Sequence, residues 1–328
     1  MGIRTTRRAL GAGLGLALAA PFIGRAGAQT VLEWVAGPPG SAWYAMATGL
    51  ANLVQEEATD LRLRIVPGGA AANPTRVQNG LSQIGFGLDF LCRAAAEGQE
   101  PFDSRHDRLA TLGSGYASTE HHFIRRLDGP EDMQAIVARP GARIGVPQRA
   151  SSDELAFQRI LRFYGTGPEK LRAAGGRYMS GSYNDLIAAW NDKQIDYVYM
   201  AVARPAAPVI EISQGRRRAA LVPFPPALLD HMSRTYGFSQ GRIPLGTYPG
   251  LQTDDIPVMT MDTVILAAAA LPDAIAEQIT AIFVRNAGSR LAAIHPWLAA
   301  FDPRTSCRFA GVRLHPGAAA AFAPTCVP

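Results

Sequence analysis

The sequence predicts an α/β fold built as two lobes with a ligand cleft between them. Short strand-like runs alternate with amphipathic helical runs along the 328-residue chain, as in parallel sheets covered by helices. The predicted strands include 61–66, 84–88 and 143–146, and one long helix is predicted over 272–293. About 300 residues follow an N-terminal leader, which is more than one core usually supports. A strand, a loop of small residues and a helix also recur roughly a hundred residues apart. We therefore expect one candidate binding loop in each lobe.

The first 28 residues have the order of an export signal. Arg7 and Arg8 precede an uncharged apolar run, residues 9–23, and small residues end at Ala28. This order predicts cleavage after Ala28, a mature chain that begins at Gln29, and a periplasmic location. The paired arginines resemble a twin-arginine signal. The alternative is an uncleaved anchor, but the apolar run is short for a bilayer span of about 20 residues.

The charge balance argues against a nucleic-acid partner. The formal net charge is +5, but four arginines and no acidic residue lie in the leader, which leaves +1 for the mature chain. Nucleic-acid binding needs clustered excess positive charge. The basic cluster 216–218 is interpreted as a solvated turn. We therefore expect no nucleic-acid partner. As a separate expectation, the protein is predicted to be a monomer.

Three cysteines in an exported chain allow one disulfide. Cys307 and Cys326 share a Pro/Gly-rich tail and are predicted to be bonded, which would contribute roughly 3 kcal/mol. Cys92 is predicted to be a buried free thiol. Residues 120–122, Glu-His-His, are of metal-ligand types, but neighbours on a strand point to opposite faces. No metal site and no cofactor are expected.

The first candidate binding loop, residues 37–41, joins a strand-like run to a helix that begins near Ala42. The first N–H groups of a helix lack intrahelical acceptors and carry partial positive charge, so they can hold an anion. Ser41 is a candidate donor, and Trp43 and Tyr44 are expected to line this seat. The loop matches neither glycine-rich nucleotide motif. The alternative is a loop that only connects two elements.

Two further loops have the same form. One precedes the helical run 153–164 and places Ser151 and Ser152 at its start. The other, residues 66–73, offers Asn73 as a helix cap or as a ligand donor. Loops of this kind that face each other across a cleft would hold a small ligand from both sides.

Arg204 is the most prominent charge beside these loops. It follows the strand-like run 196–200 and stands directly before a helix that starts with proline, so its guanidinium is placed to pair with a ligand carboxylate. The alternative is a surface arginine, since the chain has thirty arginines and two lysines. The predicted ligand-binding set is Ser41, Trp43, Tyr44, Gly69, Ala70, Asn73, Asp89, Ser151, Ser152 and Arg204.

Several segments, in the same order along the chain, resemble the TAXI-type extracytoplasmic solute receptors of TRAP transporters. The most specific is 246–257, Gly-Thr-Tyr-Pro-Gly-Leu-Gln-Thr-Asp-Asp-Ile-Pro, followed by 314–318, Leu-His-Pro-Gly-Ala. Residues 40–44 and the loop 68–73 match less completely. The resemblance covers the mature chain and implies a two-lobed periplasmic-binding-protein fold (type II-like), with lobes joined by two crossover strands.

The resemblance also implies a division of the chain and a partner. Lobe one would comprise residues 29–120 and 259–328, and lobe two residues 121–258. A small organic acid, amino-acid-like or oxo-acid, would bind in the cleft, drive hinge closure and pass to the TRAP membrane subunits. Ala42 and Ala70 replace hydroxyl residues of the family pattern, which indicates a less polar or differently shaped acid.

Two other functions remain open at this point. A periplasmic sensor would use the same cleft to report its ligand to a membrane kinase. An enzyme would need a nucleophile with a placed base, and neither a Gly-x-Ser-x-Gly elbow nor a Cys/His pairing is apparent. We expect no catalytic residues.

Overall fold

The computed structural model describes residues 29–149 and 151–326. The predicted export signal, residues 1–28, lies outside them. The strands are β1 (Thr30–Val35), β2 (Leu61–Val66), β3 (Ile84–Leu88), β4 (Leu109–Thr111), β5 (Ser118–Arg126), β6 (Arg143–Val146), β7 (Arg177–Ser180), β8 (Tyr197–Val202), β9 (Ala219–Leu221), β10 (Ser239–Ile243) and β11 (Ile256–Ala268).

Helices cover the strands and the C-terminal region. They are α1 (Ala42–Glu57), α2 (Ala72–Gln78), α3 (Asp89–Glu97), α4 (Met133–Ala138), α5 (Ser152–Phe163), α6 (Pro168–Ala173), α7 (Tyr183–Asn191), α8 (Ala207–Gln214), α9 (Pro226–Tyr236), α10 (Asp273–Arg285), α11 (Arg290–Ile294), α12 (Pro303–Ser306) and α13 (Pro316–Phe322), with a 3₁₀ turn at Pro296–Ala300. None of these helices combines the length and apolar character needed to cross a bilayer.

The strands form a mixed sheet in the order β2-β1-β3-β11-β5-β8-β6-β7. The long strand β11 joins its two halves. Residues 263–268 of β11 pair antiparallel with β3 and β4, and residues 256–262 pair antiparallel with β5 and β10. The other ladders include parallel ones, such as β1 with β2 and β6 with β7. The predicted parallel sheet is therefore only partly correct, and β11 is not among the predicted strands.

Local sequence explains why the candidate binding loops lie at one edge of each half. In β2, buried Leu61 and Leu63 alternate with exposed Arg62 and Arg64. This alternation is typical of an edge strand that has one face in the core and the other exposed to solvent. The bounds of β2, β3 and β6 are those predicted from such patterns. The loops before α1, α2 and α5 follow the carboxyl ends of β1, β2 and β6. Ligands of α/β sheets bind beyond these strand ends.

The predicted single helix over 272–293 is two helices. Helix α10 ends at Arg285, and the chain turns through Gly288, whose φ is +68°, before α11 begins. A left-handed residue cannot continue a right-handed helix, and glycine adopts that conformation without steric cost. The Asn286 side chain also donates to Glu57 Oε1 at 2.8 Å. This turn lets α11 pack back onto α1.

The cysteine prediction is confirmed, whereas the interpretation of the basic cluster as a solvated turn holds for the exposed Arg216 and Arg218 but not for Arg217. Cys307 and Cys326 form a disulfide, and Cys92 is buried and free. In the basic cluster, Arg217 stacks over the Trp190 ring at 4.3 Å and donates to the Asp196 carboxylate at 2.7 Å. Stacking and ion pairing thus take this arginine out of solvent.

Candidate functional site

One cavity brings together the strand-to-helix loops singled out by the sequence. It encloses about 290 Å³ between the first turns of α1 and α5, and residues of β5 and β11 complete its wall. We call it the α1–α5 cavity. Its lining residues are Gly37, Pro38, Ser41, Ala42, Trp43, Gly69, Ala70, Leu88, Ala117, Thr119, Ser152, Asp153, Ala201, Met261, Thr263 and Trp297. Larger cavities of about 580 and 850 Å³ hold only Asp89 of the predicted set.

The start of α1 forms one wall of the cavity. Ser41 caps this helix, and its Oγ accepts a hydrogen bond from the Tyr44 N–H at 3.2 Å. The N–H groups of Ala42 and Trp43 have no acceptor within the helix, and both residues line the cavity. Trp43 Nε1 donates to Thr263 Oγ1 at 3.2 Å, which pins the indole to β11. Tyr44 does not line the cavity, because successive helical residues point about 100° apart.

The loop between β2 and α2 contributes Gly69 and Ala70 to the lining, but not Asn73. The Asn73 side chain is fully buried beneath this loop. Its Oδ1 accepts from the Gly69 N–H at 2.8 Å, and its Nδ2 donates to the carbonyls of Ala36 and Phe86 at 2.7 and 2.8 Å. Both N–H groups of the amide are thus donated to backbone carbonyls, which leaves neither of them for a ligand. Asn73 instead shapes the loop.

The start of α5 forms the facing wall. Ser151 caps α5 by accepting from the Glu154 N–H at 3.2 Å, and it lies outside the lining. Ser152 does line the cavity, and its Oγ donates to Asp153 Oδ1 at 3.1 Å. The predicted pair of serines is therefore divided between a helix cap and the cavity wall.

Asp153 is the functional candidate that sequence reasoning missed. Its carboxylate is buried and accepts from the Tyr183 hydroxyl at 2.8 Å and the Ala201 N–H at 3.0 Å. Burial raises the pKa of Asp153, while these donors act in the opposite direction. The sequence signal was weak, because acidic residues are common in the first turn of a helix. Asp153 lies in the first turn of α5, the helix whose start was expected to hold a ligand anion.

Asp89 lies away from this cavity. Leu88 and Asp89 are neighbours at the end of β3, and they point to opposite sides of the sheet. Leu88 lines the α1–α5 cavity, whereas Asp89 lines the cavity of about 580 Å³. There Asp89 accepts from the Phe90 N–H at 2.7 Å, and burial together with the nearby charge of Asp262 raises its pKa well above the usual value.

Arg204 also lies outside the lining, and its charge is already paired. Its Nε contacts Oε1 of Glu120, whose side chain is only 8% exposed. Burial raises the pKa of Glu120 to about 7, even though Arg204 acts to lower it. The turn behind Arg204 is held by Tyr248, whose hydroxyl accepts from the Ala206 N–H at 3.1 Å. Tyr248 belongs to the segment 246–257, which therefore has a structural role here.

We expect the effect of Arg204→Ala on stability to grow with pH. In the wild type, the raised pKa of Glu120 contributes stability that is complete below about pH 4.5 and is lost as pH rises through about 7. Without the guanidinium, Glu120 must keep its proton or bury an unpaired charge. The variant should therefore go on losing stability above pH 7, at up to about 1.4 kcal/mol per pH unit.

Urea unfolding of both proteins near pH 5 and near pH 8.5 tests this. The difference between them should be about 2 kcal/mol larger at the higher pH. Burial lowers the pKa of His121 to about 3, and burial together with the Arg204 charge lowers that of His122 to about 4, so any change in His122 titration on removal of Arg204 is shared by the double variant used as the control. The control, Glu120→Gln combined with Arg204→Ala, should show no such widening. If the two proteins differ in free energy of unfolding by the same amount at both pH values, Arg204 does not stabilise the ionised form of Glu120.

The Glu-His-His segment does not form a metal site. His122 Nδ1 lies 2.8 Å from the Glu120 carbonyl oxygen, while His121 Nδ1 contacts the Tyr199 hydroxyl on the other side of β5. Across residues 29–149 and 151–326, no three His, Cys, Asp or Glu side chains are grouped to hold a metal ion.

Comparisons with known proteins place this geometry in a wider context. A family model described as the NMT1-like family matches residues 35–323. No curated protein matches the sequence. MatC from Rhodopseudomonas palustris, solved with bound malate, is 16% identical, with a TM-score of 0.50 over 90% of this chain and 97% of its own.

Two further solved structures are similar. PhnD1 from Prochlorococcus marinus, in complex with methylphosphonate, is 11% identical, with a TM-score of 0.51 over 82% of this chain and 90% of its own. A TctC solute binding protein from Polaromonas is 13% identical, with a TM-score of 0.50 over 90% of this chain and 94% of its own. These likenesses show the fold, and the predicted periplasmic-binding-protein fold is confirmed.

Proposed function

This chain belongs to the NMT1-like family, and we propose that it is an extracytoplasmic solute-binding protein. It captures a small carboxylate-bearing ligand and delivers it to a TRAP-type membrane transporter. The observation that carries the proposal is the α1–α5 cavity, where loops from both halves of the sheet meet. The relatives solved with malate and with methylphosphonate support a small anionic ligand. The resemblance to TAXI-type receptors supports the transporter class.

The start of α1 is the proposed seat for the carboxylate. The Ala42 and Trp43 N–H groups and the helix dipole favour negative charge there. The rest of the lining is largely apolar, with Leu88, Met261 and Trp297 on the wall. An acid with a mainly apolar body suits this lining, in line with the two hydroxyl residues that the TAXI pattern has and this chain lacks.

We propose lobe boundaries that follow the sheet. Lobe one comprises residues 29–120 and 259–328, lobe two comprises residues 121–258, and the chain crosses between them within β5 and β11. The cavity wall then draws Trp43 from lobe one and Ser152 from lobe two, so a ligand between them would favour closure. The protein would act as a monomer in the periplasm, after cleavage of residues 1–28.

Binding is proposed rather than catalysis. The described lining contains no histidine and no cysteine, and the Ser41 and Ser152 hydroxyls are engaged with a backbone N–H and with Asp153. Ser152 has only the Asp153 carboxylate beside it, without the imidazole that would carry its proton in a serine–histidine pair.

Ligand capture tests the proposed function. Mass spectrometry of small molecules released from the purified protein should identify an organic acid. Adding that acid at about 100 times its Kd should raise the free energy of unfolding by about 2.7 kcal/mol and raise Tm. Small-angle scattering should show a smaller radius of gyration with the acid bound.

A variant pair gives the control. Ala70→Phe fills the cavity and should abolish the ligand-induced rise in Tm, whereas Ala71→Phe, at the exposed neighbouring position, should preserve it. The proposed function is contradicted if no acid is retained and no acid raises Tm, or if both variants respond to the acid like the wild type.

A further inference from the structure

Asp153 gives the α1–α5 cavity a negative charge on one wall. It is the only charged side chain among the described lining residues, so no arginine or lysine offsets it there. Only 7% of the residue is exposed. A buried carboxylate is stable only when donors or a cation compensate it. The nature of this compensation determines which ligands the cavity accepts.

Protein donors compensate Asp153 in part and hold it in place. Oδ2 accepts from Tyr183 and from the Ala201 N–H, whereas Oδ1 accepts from Ser152 Oγ at a longer 3.1 Å. Burial nevertheless raises the pKa of Asp153, so desolvation outweighs these donors. A ligand group that donates to this carboxylate would therefore be favoured, and a second acceptor would be repelled.

The two walls of the cavity thus differ in electrostatic sign. At the start of α1, the N–H groups of Ala42 and Trp43, which lack acceptors within the helix, favour an anion. At the start of α5, the Asp153 carboxylate supplies the negative charge, and donors from α7 and β8 hold it there. A ligand with a carboxylate at both ends would place one of them against Asp153. An oxo acid would offer this wall only oxygen acceptors.

We propose that the ligand is a zwitterion, a carboxylic acid that also carries an ammonium group directed at Asp153. Its carboxylate lies at the start of α1 and its ammonium group at the start of α5. This inference rests on the proposed function, and it selects amino-acid-type ligands over oxo acids, hydroxy acids and dicarboxylates. Asp153 is then a specificity-determining residue.

Calorimetric titration of the wild-type protein tests the inference with matched probes. Each set contains the 2-amino, 2-hydroxy and 2-oxo acid with the same side chain: methyl, isobutyl, benzyl or carboxyethyl. Within the set that binds best, the amino acid should bind at least about tenfold more tightly than its two partners. Equal or tighter binding of the hydroxy or oxo acid would overturn the inference. Such a result would not contradict the proposed function, which is the binding of a small carboxylate.

The molecule that copurifies gives an independent readout. An acid that contains a basic nitrogen supports the inference, whereas an acid without one overturns it and preserves the proposed function. If no probe binds and no acid copurifies, the proposed function and the inference fail together.

Asp153→Asn isolates the charge. This substitution should lower the affinity for the amino acid at least about tenfold. The ratio of the affinities for the amino acid and the matched oxo acid should become smaller or fall below one. Asp185→Asn removes an acidic charge from the first turn of α7, outside the cavity, and should leave both affinities unchanged. Unchanged preference in a folded Asp153→Asn protein would overturn the inference. If this variant does not fold, the wild-type titrations decide.

Discussion

Replacing Asn73 by alanine should lower the free energy of unfolding by about 3 to 5 kcal/mol. The substitution removes three hydrogen bonds at a fully buried position and leaves the Gly69 N–H and the carbonyls of Ala36 and Phe86 without their partner. Each buried backbone group left unsatisfied costs about 1 to 3 kcal/mol.

The same variant should weaken ligand binding. Gly69 and Ala70 line the α1–α5 cavity, and Asn73 connects their loop to β1 and β3. Urea unfolding and calorimetry measure the two effects. Asn79→Ala, at an exposed position just beyond the same helix, should change the free energy of unfolding by less than about 0.5 kcal/mol. Equal stability of the two variants would contradict the role assigned to Asn73.

Removing the Cys307–Cys326 disulfide should cost roughly 3 kcal/mol. The bond closes a loop with a sequence separation of 19 residues, and cross-linking such a loop reduces the conformational entropy of the unfolded chain. The loop contains α13, which packs on α10. We therefore expect Cys307→Ser combined with Cys326→Ser to fold with a lower Tm and a lower urea midpoint.

Reduction provides the matched control. Dithiothreitol should lower the stability of the wild type to near that of the double variant and should leave the double variant unchanged, since Cys92 is a buried free thiol. Intact mass after alkylation verifies that the bond was reduced. A fully reduced wild type with undiminished stability would show that α13 packing, and not the cross-link, holds this tail.

Local patterns predicted much of the fold. The bounds of β2, β3 and β6 follow from short apolar or alternating runs that end at glycine, proline or polar residues. The disulfide followed from compartment and proximity along the chain. By contrast, the predicted helix over 272–293 was too long, because the backbone reversal at Gly288 leaves the apolar periodicity on both sides intact.

The candidate site was only partly accessible to sequence reasoning. Ser41, Trp43, Gly69, Ala70 and Ser152 line the cavity, as expected from their positions after strands. A strand-to-helix loop can be recognised from a few neighbouring residues, and the carboxyl ends of strands meet at a common edge. Which side chain of such a loop faces the cavity and which one caps the helix depends on rotation about the helix axis. A boundary error of one residue changes that assignment.

Local sequence signals were sufficient for the fold class, the loops that surround the cavity and the cysteine pairing, because these signals lie in neighbouring residues. Only the folded chain shows that β11 joins the two halves, that Arg204 pairs with Glu120, and that the Asp153 carboxylate accepts from the Ala201 N–H. The partners in these interactions are 48 or more residues apart along the chain. No local pattern records which distant group will compensate a buried charge, so only the folded chain assigns it.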